Sequence, residues 1–322
     1  MESRENPLFG RKVFFINPSF LAEKYLIEYL RKNEYEVYIL RDYRKSKNVL
    51  AVYPDSMCFI DIDAELSYSE WFNFMKSFSE STSLCNIYLG ILTQKAGWED
   101  KDKFLMNLRL PGGFNSVSKE EKFFKNFAAI LDLNGAKGRR KYLRLDTRNE
   151  KDVSGYLTAQ NKLYSINVKD ISSAGFAITY NQDLSILFQK NTLIRNLCIS
   201  AGRKAMVCSC IVFNTQIDSQ GLAMSVLMLT NENPESTRIY IRNYIFQKFE
   251  SKMATVISSV DFDSASYSLP DEYSKLVAVR YRDYGELPPI EEIEELSEPD
   301  SAEDVKKSEP EHIEDFTDDE IL

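Results

Sequence analysis

Arg139 to Gly175 reads RRKYLRLDTRNEKDVSGYLTAQNKLYSINVKDISSAG. A basic cluster, Arg139-Arg140-Lys141-Tyr142-Leu143-Arg144, opens it. A β-rich run over Leu157–Val168 follows. The stretch closes on Asp170-Ile171-Ser172-Ser173-Ala174-Gly175, a combination of Asp, Ser and Gly that marks a turn between strands. The same texture continues downstream in Gly175–Thr179, Leu193–Ser200, Ala205–Phe213 and Leu222–Leu229, separated by polar or Gly turns. Several short strands at regular spacing predict a small antiparallel barrel or sandwich. Asn233-Pro234-Glu235 then signals a helix start: a capping Asn, Pro at the first helical position and an acid in the first turn. Ile241, Tyr244, Ile245 and Phe249 recur on one face, so this helix is expected to dock on the barrel.

Upstream of Gly135 the pattern is different. Val13–Asn17, Tyr35–Leu40, Met57–Ile62 and Ile87–Leu92 are short apolar runs of strand length. Between and after them, Pro18–Leu30, Glu70–Phe78 and Lys119–Leu131 carry apolar residues at helical spacing, the last with Ser116 or Ser118 as a candidate cap. Strands alternating with helices imply a parallel sheet covered by helices on its faces.

Charge divides the chain again. Glu286–Leu322 holds 16 Asp or Glu against 2 Lys, a net of −14. The first 285 residues hold 38 basic and 33 acidic groups, a net of +5, inside a chain whose overall charge is −9. The acidic, Pro-rich end cannot bury enough apolar surface to offset the entropy of ordering, and it reads as a disordered tail. The body keeps the capacity for a basic pocket that takes an anion. The expected division is 1–134 for the α/β domain, 135–260 for the barrel with its closing helix, 261–284 for an extension and 285–322 for the tail.

The two motifs have a shared chemistry. An Arg guanidinium is a planar fork that pairs with phosphate or with the O6/N7 edge of guanine, and its plane stacks on a base. Arg140 and Arg144 are four residues apart on a segment leading into the barrel, so both can converge on one anionic ligand. Asp170 can accept hydrogen bonds from the N–H groups of guanine. Ser172 can donate its hydroxyl, and Gly175 lets backbone approach closely or take positive φ. An ordinary basic surface stretch and an ordinary hairpin turn are the alternative for the same residues.

In these residues the chain resembles the PilZ family, which carries RxxxR, a strand pair and then D/NxSxxG on a six-stranded barrel. Here they are Arg140-Lys-Tyr-Leu-Arg144 and Asp170-Ile-Ser172-Ser-Ala-Gly175, with 25 residues between Arg144 and Asp170. The doubled Arg139-Arg140, the aromatic Tyr142 and the helix with Tyr244–Phe249 also fit. The resemblance covers about a third of the chain. It implies binding of cyclic di-GMP by Arg139, Arg140, Arg144, Asp170, Ser172 and Gly175. It also implies an intercalated ligand dimer where a further Arg precedes RxxxR, the place Arg139 takes. The N-terminal part resembles a response-regulator receiver more loosely. Asp61 ends the third predicted strand, where a phosphoacceptor stands, and Thr93 ends the fourth. Asn17-Pro18 replaces the paired acids after the first strand, so a Mg²⁺ site lacks key oxygen ligands. Leu110-Pro111 stands where Lys-Pro is expected after the fifth. These departures point to a degenerate, receiver-like interaction domain.

Other chemistry has little support in the sequence. His312 is the only histidine and lies in the tail, which argues against a His-based hydrolase. Cys208-x-Cys210 has no second pair and no histidines to complete a zinc site. Five scattered cysteines, no long apolar stretch and no apolar leader core predict a cytoplasmic protein with reduced thiols and no membrane insertion. The expectation is a non-enzymatic receptor without cofactor or metal, acting on an unidentified protein partner and not on DNA or RNA. A ligand-independent interaction scaffold is the alternative.

Overall fold

The computed structural model describes residues 10–217, 222–268 and 273–276. Strand β1 (Val13–Ile16) is the run VFFI, apolar at every position and buried on both faces, as a central strand of a parallel sheet must be. It pairs in parallel with β2 (Val37–Leu40) and β3 (Met57–Asp61). Strands β4 (Tyr88–Thr93) and β5 (Phe114–Ser116) extend the sheet, giving the order β2-β1-β3-β4-β5. This is the doubly wound order of flavodoxin-like and receiver folds. The covering helices are α1 (Glu28–Lys32), which continues a π-helical segment Ala22–Ile27, then α2 (Tyr43–Val52), α3 (Tyr68–Glu80), α4 (Trp98–Asn107) and α5 (Glu121–Leu133).

The second unit is antiparallel. It contains β6 (Arg144–Asp146), β7 (Val153–Ala159), β8 (Lys162–Ser172), β9 (Gly175–Tyr180), β10 (Leu193–Ala201), β11 (Lys204–Ile217) and β12 (Ala223–Leu229). Strand β8 pairs with both β7 and β9, so the ring β8-β7-β10-β11-β12-β9 closes into a six-stranded barrel, with β6 added beside β8. Closure removes the free edges that an open sheet would leave. The inward residues Ile199, Cys208, Cys210, Val212 and Leu227 form a dry core. The two cysteines are core side chains, and burial pushes both thiols up, Cys208 to about 11.

Helix α6 (Glu235–Ser259) joins the units. Its first half packs Ile241, Tyr244 and Ile245 into the barrel core, while Phe246 and Met253 belong to the two cores flanking the α/β sheet. The chain after α6 returns over α2 and α3. Lys47 on α2 is buried, pairs with Asp263 at 3.2 Å and bonds to the Tyr267 hydroxyl. Asn73 on α3 donates to the Tyr267 carbonyl at 2.9 Å. Burial holds the Lys47 ammonium below its usual range, with Asp263 opposing the shift.

Several local expectations are corrected. Leu157–Val168 is not one strand but the β7–β8 hairpin. Gln160 and Asn161, at φ 50° and 59°, make its two-residue turn without the glycine that usually signals one. Asn233 does not cap α6. Its side chain bonds to the backbone N–H and C=O of Ser209 on β11, and Pro234 stands at the N-cap. Helix α5 starts at Glu121, after the Ser118 hydroxyl has accepted the Glu120 N–H at 3.3 Å. Helices α2 and α4 go beyond the expected elements, their amphipathic pattern being diluted by charge. Leu110-Pro111 precedes β5, and Val117-Ser118-Lys119 follows it. The expected disordered tail, 285–322, lies outside the described residues, as does part of the 261–284 extension.

Candidate functional site

The two motifs meet at the junction of the units. Between α5 and β6 the chain turns at Gly135, whose φ of 76° suits glycine and whose carbonyl accepts the Arg11 N–H at 2.9 Å. Leu143 packs against both the barrel core and the α/β core. Strand β6 then lays Arg144 opposite Ser172, and Asp146 opposite Asp170, on β8. The basic motif is thereby fixed beside the DISSAG turn by three residues of antiparallel pairing.

Asp170 follows an irregularity in the β8–β9 register between Val168 and Asp170. Thr147 stabilises it, its N–H donating to the Lys169 carbonyl and its hydroxyl to that of Val168. Such a bulge re-aims the next side chain. The Asp170 carboxylate faces the Arg144 guanidinium at 4.0 Å. Burial pushes the Asp170 carboxyl up, and the charges of Arg144 and Arg140 oppose that shift. Burial lowers the Arg140 guanidinium from its usual value, and Arg144 adds to the effect. Arg140, Tyr142 and Arg144 line a small pocket that Glu34, Glu36 and Phe249 close from the other side. Arg139, next to Arg140 in the chain, is exposed.

Ser172 and Gly175 have structural tasks inside the turn. The Ser172 hydroxyl accepts the Gly175 N–H and donates to the Gly175 carbonyl, both at 3.1 Å. Gly175 does not adopt positive φ. A Cβ there would lie 1.9 Å from the Leu227 carbonyl oxygen, so the close approach it permits is that of strand β12.

Three residues at this junction, Glu34, Arg238 and Arg242, have no signature in the sequence. Glu34, in the turn after α1, accepts the Ser173 hydroxyl at 2.6 Å and Arg242 Nε at 2.9 Å on Oε1, and the Leu143 N–H at 3.3 Å on Oε2. Arg238 donates to the carbonyls of Ser173, Leu229 and Thr230 and holds the DISSAG turn against the start of α6. Periodicity flagged the apolar face of α6, whereas the arginines beside it could be recognised only once the turn they touch was located.

At the other end of the α/β sheet, Asp61 is buried and accepts the backbone N–H of Ser19 at 2.9 Å and of Asp63 at 3.2 Å. Burial raises its carboxyl, with these bonds opposing. Asp63 accepts the Thr93 hydroxyl and the Gln94 N–H, each at 2.6 Å. Asp61 and Thr93 thus lie at adjacent strand ends, linked through Asp63. Among the described residues no group of three or more His, Cys, Asp or Glu could hold a metal ion.

The fold is a receiver-like α/β unit followed by a closed six-stranded barrel like that of PilZ domains. No family model matches the sequence, and no curated protein matches it. Solved structures similar to it include the PilZ domain with c-di-GMP of YcgR from Escherichia coli. That match has 13% identity and TM-score 0.31, over 38% of this chain and 99% of that one. The MrkH–c-di-GMP complex of K. pneumonia matches at 18% identity and TM-score 0.31, over 34% of this chain and 52% of that one. A response regulator from Desulfuromonas acetoxidans matches at 11% identity and TM-score 0.31, over 39% of this chain and 98% of that one. The chain therefore spans about half the length of the MrkH chain. No helix among the described residues is long and apolar enough to cross a membrane.

Proposed function

We propose that the protein is a cyclic di-GMP receptor of PilZ type, not an enzyme, and that it works in the cytoplasm. The observation that carries this reading is the placement of Arg140, Tyr142 and Arg144 around one pocket at the seam between the units, with the Asp170 carboxylate 4.0 Å from the Arg144 guanidinium. Two guanidinium forks suit phosphates and guanine O6/N7 edges, a phenol ring suits stacking, and a carboxylate suits guanine N–H groups. Arg139, exposed and next to Arg140 in the chain, adds a fork for a second ligand molecule. Ser172 and Gly175 serve the site by shaping the turn that presents Asp170. The division proposed for this function is an α/β unit over 1–134 and a barrel unit with its closing helix over 135–260.

The pocket is too closed to take a dinucleotide as it stands, so binding has to move the 135–144 segment, and that segment packs on both cores. Ligand binding is thereby converted into a change in how the units meet, and so into altered contacts with a protein partner. A motility- or envelope-related output fits such a device.

Titration calorimetry of the full chain with cyclic di-GMP tests the reading, beside an Arg140→Ala/Arg144→Ala variant and with cyclic di-AMP as control. Saturable binding of the guanine ligand by wild type alone supports it and gives the stoichiometry. No binding by folded wild type or by any variant with an opened pocket refutes it and leaves the interaction scaffold.

A further inference from the structure

The turn after α1 places a glutamate where the backbone disfavours one. Glu34 has φ 62°, its N–H donates to the Arg31 carbonyl, and the next amide reaches back to Leu30. This is the left-handed position that follows a helix, ordinarily given to Gly or Asn. The side chain compensates. Its carboxylate is only 7% exposed and is held by three donors: Ser173 Oγ from the DISSAG turn, Leu143 N from the RRKYLR segment and Arg242 Nε from α6. All three belong to the barrel side, and the acceptor comes from the α/β unit. Glu34 also lines the pocket shared with Arg140 and Arg144.

A hydroxyl, a backbone amide and a guanidinium converging on one oxyanion make a built anion site. The same donor set suits a phosphate oxygen. We infer that Glu34 is an internal anion: its carboxylate fills a phosphate-accepting site formed by Ser173, Leu143 and Arg242, and the anionic ligand must displace it. The inference rests on the receptor reading and adds Ser173 and Arg242 to the ligand site. It also supplies the coupling. A ligand phosphate and the Glu34 carboxylate cannot share the same donors, so occupancy of the pocket expels Glu34 and undoes one polar tie between the units. By linkage, whatever opens that tie favours the ligand by the same factor.

The test is calorimetric titration of the full chain with cyclic di-GMP for wild type, Glu34→Gln and Glu34→Gly. The first variant keeps the shape and removes the charge. The second removes the side chain and relieves the left-handed strain, and circular dichroism checks that both variants fold. Hydrogen exchange of the Leu143 region is followed in parallel. Both variants are expected to bind about tenfold more tightly, within the roughly 5- to 150-fold span of site-to-site coupling. Unliganded Glu34→Gly should show the exchange at Leu143 that wild type reaches only when saturated. Binding by the variants alone would carry the inference equally. Variants that bind no more tightly than a binding wild type overturn the inference and leave the receptor reading standing. Absence of binding by all three overturns both.

Discussion

Replacing Gly175 by alanine separates two accounts of a motif glycine. A Cβ at this position would sit 1.9 Å from the Leu227 carbonyl oxygen and 3.0 Å from the Met228 Cα, both backbone atoms of β12. The first contact is roughly 1.5 Å short of ordinary van der Waals separation. No rotamer change can relieve it, so β9 or β12 must shift. Those strands are paired from Gly175↔Met228 to Tyr180↔Ala223, and they close the barrel. Overpacking of this kind costs about 1–3 kcal/mol, and the upper end applies because backbone must move. For a body of this size, about 3 kcal/mol lowers the melting temperature by roughly 10 °C. Far-ultraviolet circular dichroism follows the loss of structure. Tryptophan fluorescence serves as an internal reference, because both tryptophans, Trp71 and Trp98, lie in the α/β unit. The dichroism transition should fall by about that amount and precede the fluorescence change. A Gly175→Ala protein that melts like wild type but no longer takes ligand would refute the argument and return the glycine to a direct role at the ligand.

Arg144→Ala should weaken cyclic di-GMP binding by about a hundredfold or more, the scale of losing a charge-assisted contact of about 3 kcal/mol; calorimetry reads this directly, and a change under threefold would remove Arg144 from the site. Asp61 is expected to hold a raised folded-state pKa, so its contribution to stability is present at acidic pH and is lost as pH rises through that value. Asp61→Asn should therefore become more favourable relative to wild type as pH rises above the ordinary carboxylate range, measured as the difference in urea midpoints; a difference that stays constant with pH would contradict the burial argument. Lys248 on α6 bonds to Glu150 at 2.7 Å and Asp152 at 2.8 Å. Burial pushes those two carboxyls up, but Lys248, with help from Lys252 and Tyr244, outweighs it and leaves both lowered. Their stabilising contribution is present above the ordinary carboxylate range and is lost as pH falls through the lowered values. Lys248→Met should flatten the acid limb of the stability profile, and an unchanged limb would show that the pairs contribute nothing.

The architecture was legible where local pattern and burial coincide. Runs such as VFFI at β1 are apolar because the sheet is covered on both faces, and β10 and β11 alternate because one face meets the barrel core. Both units, and the basic and DISSAG segments as a matched pair, could therefore be read before any coordinates. The β7–β8 turn could not, because Gln160 and Asn161 adopt positive φ without a glycine to announce it.

Local sequence also determined which residue types stand in the two motifs of the candidate site: arginines at 139, 140 and 144, an acid at 170 and small residues at 172 and 175. Only the tertiary structure decided what they face. The pairing of β6 with β8 sets Arg144 opposite Ser172 and beside Asp170, and the closure of β9 on β12 explains Gly175. Glu34 lies 109 residues from Leu143, 139 from Ser173 and 208 from Arg242. Periodicity and short motifs register neighbours within a turn or a strand pair, whereas a carboxylate shared by three such distant donors exists only after two cores and a bridging helix have packed.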